Sequence, residues 1–298
     1  MTKNISEINR NLEAIEQTRH ITNAMYLLSV SAMRKSLSQV DYSHRYMRRL
    51  CASVKDVLEK SPDVRSSFKS DEAAYLGRRD TAFFVIGSDK SLCGAYNYNV
   101  AAEVENRLHA VQDEGREAIL YTAGTKLAEI LKNHGVEVYK NFDGASQYPT
   151  MQQAYRIAEE LIDIYKVGYV QDIYVIFTDY VSAAVQPVRV QKLLPLAVEN
   201  FENVPSVDYS APMTYEPSIE AVFGALVSQY MQGYLYSCLC NALVCENVAR
   251  MSAMQSATEN ADAMLKQLST EYNTARQSAI TAELTEIAAA TELMQHAI

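Results

Sequence analysis

Glycine and proline are confined almost entirely to the middle of this 298-residue chain. Residues 1–61 contain neither, and after Pro217 the only glycines are Gly224 and Gly233. A glycine inside a helix costs only about 1 kcal/mol, so neither of these two has to end one. This distribution predicts a long helix at each end, over 1–61 and 217–298, around a folded domain at 62–216.

The length of the second helix constrains what it can do. At about 1.5 Å per residue, a helix from 217 to 295 would extend roughly 120 Å. A compact domain made from the whole chain would be only about 50 Å across. The helix must therefore project from the domain, and another element must cover its apolar side.

Apolar side chains recur at helical spacing near the amino terminus. Ile5, Ile8, Leu12 and Ile15 are separated by three or four residues, which is the spacing of a coiled-coil seam. The same spacing continues over residues of mixed polarity, namely Arg19, Thr22, Tyr26, Ser29 and Met33.

The carboxy-terminal segment shows the same periodicity, over Met251, Met254, Ala257, Ala261, Met264, Leu268, Tyr272, Ala275 and Ala279. Residues 1–60 carry ten basic and six acidic side chains, whereas residues 246–298 carry three and seven. Opposite charge favours pairing of the two helices, and a domain between them favours antiparallel pairing. The predicted seam comprises Ile5, Ile8, Leu12, Ile15, Met25, Met254, Ala261, Leu268, Tyr272 and Ala275.

The middle of the chain predicts an α/β domain. Short apolar runs alternate with amphipathic segments, which is typical of a mainly parallel sheet. The predicted strands are 82–86, 118–121, 136–139, 173–177 and 185–194, the predicted helices are 125–133 and 151–166, and 199–217 is a connector. The predicted fold class is therefore a mixture, an antiparallel coiled coil of terminal helices plus a central Rossmann-like α/β domain.

Composition excludes several classes of protein. The net charge of −9 argues against nucleic acid as the main partner. Five cysteines without a CxxC pair, and an amino terminus without an apolar signal segment, indicate an intracellular protein. Residues 221–245 carry no charge, but Ser and Gln interrupt them, so a helix buried against protein is favoured over a membrane span.

Residues that would carry chemistry are scarce. The sequence has no phosphate-binding GxxxxGK[ST] loop, no dinucleotide fingerprint and no histidine pair at ligand spacing, which predicts no metal and no cofactor. The segment Ser88–Gly94 follows a strand, and its Cys93 is open to two interpretations, a structural turn, which is favoured, or a nucleophile. The basic run Arg45–Arg49 is interpreted as a solvated helix face, with an acidic partner as the alternative.

Several segments, in order along the whole chain, resemble one family. Residues 280–287 read ITAELTEI and follow YNTARQ at 272–277, and this pair is similar to the carboxy-terminal signature of the gamma subunits of F-type ATP synthases. Further similar segments are ITNAM at 21–25, Ser88-Asp89 with Leu92-Cys93-Gly94 and Asn97, QKLLPL at 191–196, YEP at 215–217, and ENVARMSAMQSATENA at 246–261.

This resemblance implies a central rotor shaft, without catalytic residues, in a proton- or ion-transporting complex. Its partners would be a ring of three alpha and three beta subunits, the epsilon subunit and the c ring, at the cytoplasmic face of the bacterial cell membrane. It also implies that Arg276, Gln277, Thr281 and Glu283 contact the beta subunit, and that Tyr215 and Glu216 lie on the c-ring and epsilon side. Two other classes stay open, an α/β enzyme built around Cys93 and a stand-alone coiled-coil adaptor.

Overall fold

The computed structural model describes residues 5–61, 64, 66–69, 80–201, 204 and 214–295, with side chains up to residue 289. Two long helices lie at the ends of the chain, as the distribution of glycine and proline predicts. In chain order the elements are α1 (Ile5–Lys60), β1 (Asp80–Ile86), α2 (Tyr96–Asp113), β2 (Ala118–Ala123), α3 (Thr125–Asn133), β3 (Lys140–Asn141), α4 (Met151–Lys166), β4 (Val170–Thr178), β5 (Val188–Leu194), a 3₁₀ turn (Val198–Phe201) and α5 (Ile219–Gln295).

The five strands form one sheet in the order β3-β2-β1-β4-β5. β1 lies at the centre, is buried along its whole length, and pairs in parallel with both β2 and β4. β3 is also parallel, and only the edge strand β5 is antiparallel. The prediction of a mainly parallel sheet in an α/β domain is therefore confirmed.

Two local predictions are wrong, and one helix was missed. The strand predicted at 136–139 is found at Lys140–Asn141; Tyr139 donates its backbone N–H to the Leu120 carbonyl at 2.8 Å, but the ladder forms only afterwards. The strand predicted from Val185 begins at Val188, because Val185 closes a turn with Ser182. Helix α2 was not predicted.

Local sequence explains how the helices of the domain begin. Thr150 and Gln153 form a capping box at the start of α4, in which each side chain bonds to the other residue's backbone N–H. Before α3, Gly124 has a φ of 132°, and a Cβ at that position would lie 2.7 Å from the carbonyl carbon of Gly87. Only glycine fits there, and the turn after β2 thereby packs directly on the turn after β1.

By packing, the chain divides into two compact units. The first comprises 1–28 and 251–298, where Thr22 contacts Thr258 and Arg19 contacts Asp262. The contacting residue on α5 advances from 258 to 262 as the contacting residue on α1 goes back from 22 to 19. The two helices therefore run antiparallel in this unit. The domain boundaries predicted at 61/62 and 216/217 stay predictions.

The second unit is 29–250 and contains the sheet, α2 to α4 and the adjoining parts of α1 and α5. Here too the two long helices are antiparallel, because Ser43 bonds to Ser237 while Met47 lies against Gly233. A Cβ on Gly233 would come 2.8 Å from the Met47 sulfur, so the glycine permits this close approach. Gly233 is therefore a packing residue inside a continuous helix.

The uncharged segment 221–245 lies within α5 and contributes many side chains to the main core of the second unit. Phe223, Val227, Met231, Leu235 and Leu239 are all fully buried there. The prediction that this segment is buried against protein is confirmed. Across the described residues, no helix is both long and apolar enough to cross a membrane.

Candidate functional site

The side chains near the end of α5 are exposed in the part of the chain that the structure describes. From Arg276 to Ala289 every side chain is exposed except that of Ala279, which is half-buried. The four residues predicted to contact a beta subunit, Arg276, Gln277, Thr281 and Glu283, all lie in this exposed stretch. They are therefore brought together on one accessible segment.

The residues predicted for the coiled-coil seam are less accessible. Three are buried, Ile8, Met254 and Ala261, and seven are half-buried, Ile5, Leu12, Ile15, Met25, Leu268, Tyr272 and Ala275. Met264 was predicted to lie on the same apolar line, and this prediction is wrong. Met264 is 53% exposed, and Leu265 is half-buried in its place. Alternating steps of four and three residues carry the buried line from Ala261 to Leu265 and then to Leu268, as a heptad requires.

A second apolar line exists on the exposed end of α5. Ile280, Leu284 and Ile287 are spaced as i, i+4 and i+7, and they are 45%, 62% and 63% exposed. At roughly 100° per residue, this line lies about 120° around the helix from the seam. We call these three residues the apolar stripe of α5. Large exposed apolar patches mark interaction sites in soluble proteins.

Polar side chains border the apolar stripe on both sides. Arg276 and Glu283 lie along one border, and Gln277 and Thr281 lie along the other, as the helical spacing dictates. An apolar centre with a hydrogen-bonding rim is the usual arrangement of a protein–protein interface. Residues 280–287 belong to the segment that carries the family resemblance, but the sequence alone did not assign these apolar side chains to the contact.

Hydrogen bonds within the helix determine what each polar residue can offer a partner. The Thr281 hydroxyl donates to the Gln277 carbonyl at 2.8 Å, and the Thr285 hydroxyl donates to the Thr281 carbonyl at 2.8 Å. Thr281 has thereby used its only donor and offers a partner only acceptor lone pairs. Among the described residues, the side-chain donors of this segment that have no acceptor are those of Arg276 and Gln277.

Arg276 and Glu283 form no ion pair within the part of the chain that the structure describes. A guanidinium carries five N–H donors in a planar fork, which matches a carboxylate with two parallel hydrogen bonds. Arg276 is thus suited to an acidic group on another protein, and Glu283 to a basic group.

Tyr215 and Glu216 lie just before α5, in the second unit. Tyr215 is half-buried and packs against the main core, whereas Glu216 is exposed. Their assignment to a c-ring and epsilon contact stays a prediction.

A polar cluster follows β1 and contains most of the motif at Ser88–Asn97. The Asn97 amide bonds twice to Ser88, accepting from its backbone N–H at 3.0 Å and donating to its hydroxyl at 2.7 Å. Asp89 accepts from the Thr125 backbone at 2.9 Å and from the Ser146 hydroxyl at 2.8 Å. These bonds hold the loop to the starts of α2 and α3, so its residues serve to fix a turn.

The same loop is bonded to α5. Arg250 donates to the Ser91 carbonyl at 3.4 Å and to the Glu246 carboxylate at 2.6 Å. Burial raises the pKa of Glu246, and the charge of Arg250 opposes that rise. Two segments that carry the family resemblance, 88–97 and 246–261, therefore meet at this ion pair.

Cys93 lies in this cluster with Tyr96 and Cys245, and all three are buried. Burial raises the pKa of the Cys93 thiol, although a hydrogen bond with Ser88 works in the other direction. Burial also raises the pKa of Cys245 to about 12. A nucleophilic cysteine needs thiolate character and access, so the alternative of an enzyme built around Cys93 finds no support in this geometry. Among the described residues, no group of His, Cys, Asp and Glu side chains is arranged to hold a metal ion.

Comparison with known proteins gives matches along almost the whole chain. The family model ATP-synt, described as ATP synthase, matches residues 4–294. An ATP synthase gamma chain of Ruminiclostridium cellulolyticum is 34% identical over 290 residues, covering 96% of this chain and 97% of that protein. One of Caldanaerobacter subterraneus is also 34% identical, covering 93% and 95%.

Solved structures of low sequence identity share the fold. The rotor of Euglena gracilis mitochondrial ATP synthase aligns with a TM-score of 0.62 at 13% identity, covering 93% of this chain and 98% of that one. A central stalk with c-ring from Tetrahymena thermophila aligns with a TM-score of 0.60 at 24% identity, covering 80% and 99%. On the family match and on the relatives with 34% identity, the chain belongs to the family of ATP synthase gamma chains.

Proposed function

We propose that this chain is the central rotor shaft of an F-type ATP synthase. In this role it rotates inside a ring of three alpha and three beta subunits and couples ion flow through the c ring to ATP synthesis and hydrolysis. It is a non-catalytic subunit, and the nucleotide chemistry belongs to the surrounding ring. The ion that is coupled, proton or sodium, is determined in the c ring.

The apolar stripe of α5 and its polar rim are the observation that carries this proposal. A shaft must present a surface that neighbouring subunits contact non-covalently. Side chains that are already packed inside the chain cannot form such a surface. Ile280, Leu284 and Ile287 are exposed, and no described residue accepts a hydrogen bond from the side chains of Arg276 and Gln277 beside them. We assign this surface to contacts with the beta subunits, with Thr281 and Glu283 on the same helix segment.

The other partners follow from the same role. The α/β domain would face the c ring and the epsilon subunit, with Tyr215 and Glu216 on that side. The chain would then be a peripheral protein at the cytoplasmic face of the bacterial cell membrane, held there through the complex alone. The tagged chain, purified from solubilised membranes, should bring the alpha, beta, epsilon and c subunits with it. Recovery of the chain without them would support the adaptor alternative.

A double variant tests the stripe itself. Leu284→Asn with Ile287→Asn should leave the isolated chain as stable as the wild type, since both side chains are more than half exposed. In the assembled complex it should lower the rate of coupled ATP synthesis, because the apolar contact area is lost. The matched control is Thr285→Asn, on the far side of the helix. Equal synthesis rates in all three complexes would contradict the assignment.

A further inference from the structure

A pocket of about 770 Å³ lies in the second unit, between α4 and the chain around β3. That volume is in the range of small-molecule sites. On the side of the sheet its lining is aromatic, with Tyr121, Tyr139 and Phe142, and on the other side α4 contributes three carboxylates. The proposed rotor function makes no use of this pocket.

The aromatic rings of the pocket contact one another. The Tyr121 ring meets the Tyr139 ring edge to face, with centroids 5.3 Å apart, and is stacked with the Phe142 ring at 6.2 Å. The face of such a ring attracts a cation placed over it. The chain already uses one face in this way, because the Lys140 ammonium lies 5.0 Å from the Phe142 centroid and pairs with the Glu160 carboxylate of α4. The pocket therefore accommodates an ammonium between an aromatic face and a carboxylate.

A hydroxyl group without a partner opens into this pocket. Tyr121 is 1% exposed, and its hydroxyl forms no hydrogen bond with any described residue. The hydroxyl oxygen nevertheless keeps contact with solvent, and the pocket is the space that Tyr121 lines. Burial, together with the nearby charge of Glu160, raises the pKa of Tyr121 to about 12, so the group stays a neutral phenol at neutral pH. Its oxygen can therefore accept a hydrogen bond from a bound group.

The charge that remains in the pocket is negative. Besides the pair of Lys140 and Glu160, the lining carries one guanidinium and three carboxylates, those of Arg156, Asp143, Glu159 and Asp163. One positive and three negative charges leave a net charge of −2. The Asp163 carboxylate has no partner among the described residues, and Glu159 lies one helical turn before it. Since side chains four residues apart on a helix have Cβ atoms about 5–6 Å apart, these two carboxylates are neighbours.

We propose that this pocket binds a small alkyl diamine, whose two ammonium groups balance the charge of −2. One ammonium lies over the open face of Tyr139, which is 69% exposed, and donates to the Tyr121 hydroxyl oxygen. The other ammonium pairs with the carboxylates of Glu159 and Asp163. The alkyl chain between them contacts the apolar lining, to which Ile157 contributes. This inference goes beyond the proposed rotor function and does not depend on it.

Two amines that differ by one ammonium group test this site on the full-length chain. 1,4-Diaminobutane and 1-aminobutane share the same carbon chain, but only the first carries two charges. Titration calorimetry at low ionic strength and neutral pH should show one diamine bound per chain, with a Kd of about 1 mM or below. The monoamine should bind at least about tenfold more weakly, because one of the two ammonium contacts is missing. An equal concentration of Mg²⁺ should displace little of the diamine, since a hydrated metal ion does not use the aromatic face.

Variants locate the binding. Tyr121→Phe removes only the hydroxyl and should weaken diamine binding at least about fivefold. Tyr98→Phe is the matched control, because Tyr98 is exposed on α2 and does not line the pocket, and it should bind the diamine like the wild type. Asp163→Asn should also weaken binding at least about fivefold. Its control is Asp113→Asn, which removes an exposed carboxylate at the end of α2.

The comparison of the two amines on the wild-type chain needs no variant to fold. Absence of saturable diamine binding up to about 10 mM would overturn the proposal and leave the Tyr121 hydroxyl to water. Equal affinity for the two amines, or displacement of the diamine by Mg²⁺, would show a general attraction of cations to acidic surface and overturn the site. Equal binding by Tyr121→Phe and Tyr98→Phe would overturn the role of the Tyr121 hydroxyl.

Discussion

The hydroxyl oxygens of Thr22 on α1 and Thr258 on α5 lie 2.8 Å apart in the first unit. Thr22 is 8% exposed, so water has little access to this pair. Each hydroxyl also lies within hydrogen-bond distance of a carbonyl of its own helix, that of Arg19 for Thr22 and that of Met254 for Thr258. The pair is therefore a buried polar contact at one defined register of the two helices.

Single and double replacements of this pair should have different effects. Thr22→Val leaves the Thr258 hydroxyl without its cross-helix partner and should cost about 1–2 kcal/mol of stability. Adding Thr258→Val removes both polar groups and should restore most of that loss. Denaturant unfolding of the wild type, the two single variants and the double variant gives the coupling free energy between the two hydroxyls. Additive losses would mean that the two hydroxyls do not interact.

The ion pair of Glu246 and Arg250 predicts a pH-dependent phenotype. Arg250→Leu leaves a buried carboxylate without its counter-charge, which should cost about 3–5 kcal/mol at neutral pH. Because burial raises the folded-state pKa of Glu246, the folded chain holds the proton more tightly than the unfolded chain. The contribution of this carboxyl to stability therefore falls as the pH rises from 4.5, the ordinary pKa of a glutamate, through the raised pKa.

Without Arg250 that pKa rises further, so the loss of stability should be smaller at about pH 5 than at about pH 8. The unfolding midpoints of wild type and Arg250→Leu at both pH values test this. Adding Glu246→Gln should make the defect independent of pH over that range. A defect equally large at both pH values in the single variant would contradict the account.

Leu268 tests the predicted seam in the first unit. Leu268→Asp places a charge at a half-buried position on the line between Ala261 and Ala275, where it has to lose solvation. We expect loss of coupled ATP synthesis or failure of assembly. The control is Ser269→Asp, an exposed neighbour that adds the same charge. A stable, fully coupled Leu268→Asp complex would remove Leu268 from the seam.

Arg276 tests the proposed contact with the beta subunit. Arg276→Leu should leave the complex assembled and reduce ATP hydrolysis and synthesis together by about tenfold, since a charge-assisted hydrogen bond is worth about 1.5–3 kcal/mol. Lys266→Leu removes another exposed cation from the same helix and should have little effect. Normal rates in an assembled Arg276→Leu, Gln277→Leu double variant would refute the contact.

The large elements of the fold were predictable because they depend on strong, local signals. The scarcity of glycine and proline defined the two long helices, and apolar runs defined β1, β2 and β4. The mixed line through Thr22 and Ser29 was also correct, since both are buried. Small hydroxyl side chains can be buried in a helix pair because they bond to carbonyls one turn back, as Thr22 does to Arg19.

Other features depend on tertiary context. Helix α2 begins with Tyr96 and Asn97, and Asn97 is buried because it bonds to Ser88, nine residues earlier. Only the folded loop supplies that partner, so the helix start has no local signal. The apolar stripe of α5 could not be predicted from the sequence for another reason. Ile280 and Leu284 have the composition of a core, and only the structure shows that nothing within the described chain covers them.

Direct observation of rotation tests the central proposal. A light-scattering probe attached at Asn133→Cys, an exposed position on α3, would report the motion of the chain in a complex immobilised through its beta subunits. Cys51, the described cysteine that is not fully buried, would be replaced by Ser so that labelling is specific. If the chain is the rotor shaft, ATP drives stepwise rotation of the probe in one direction, with one dwell for each beta subunit. Full ATP hydrolysis by the assembled complex with a stationary probe would contradict it.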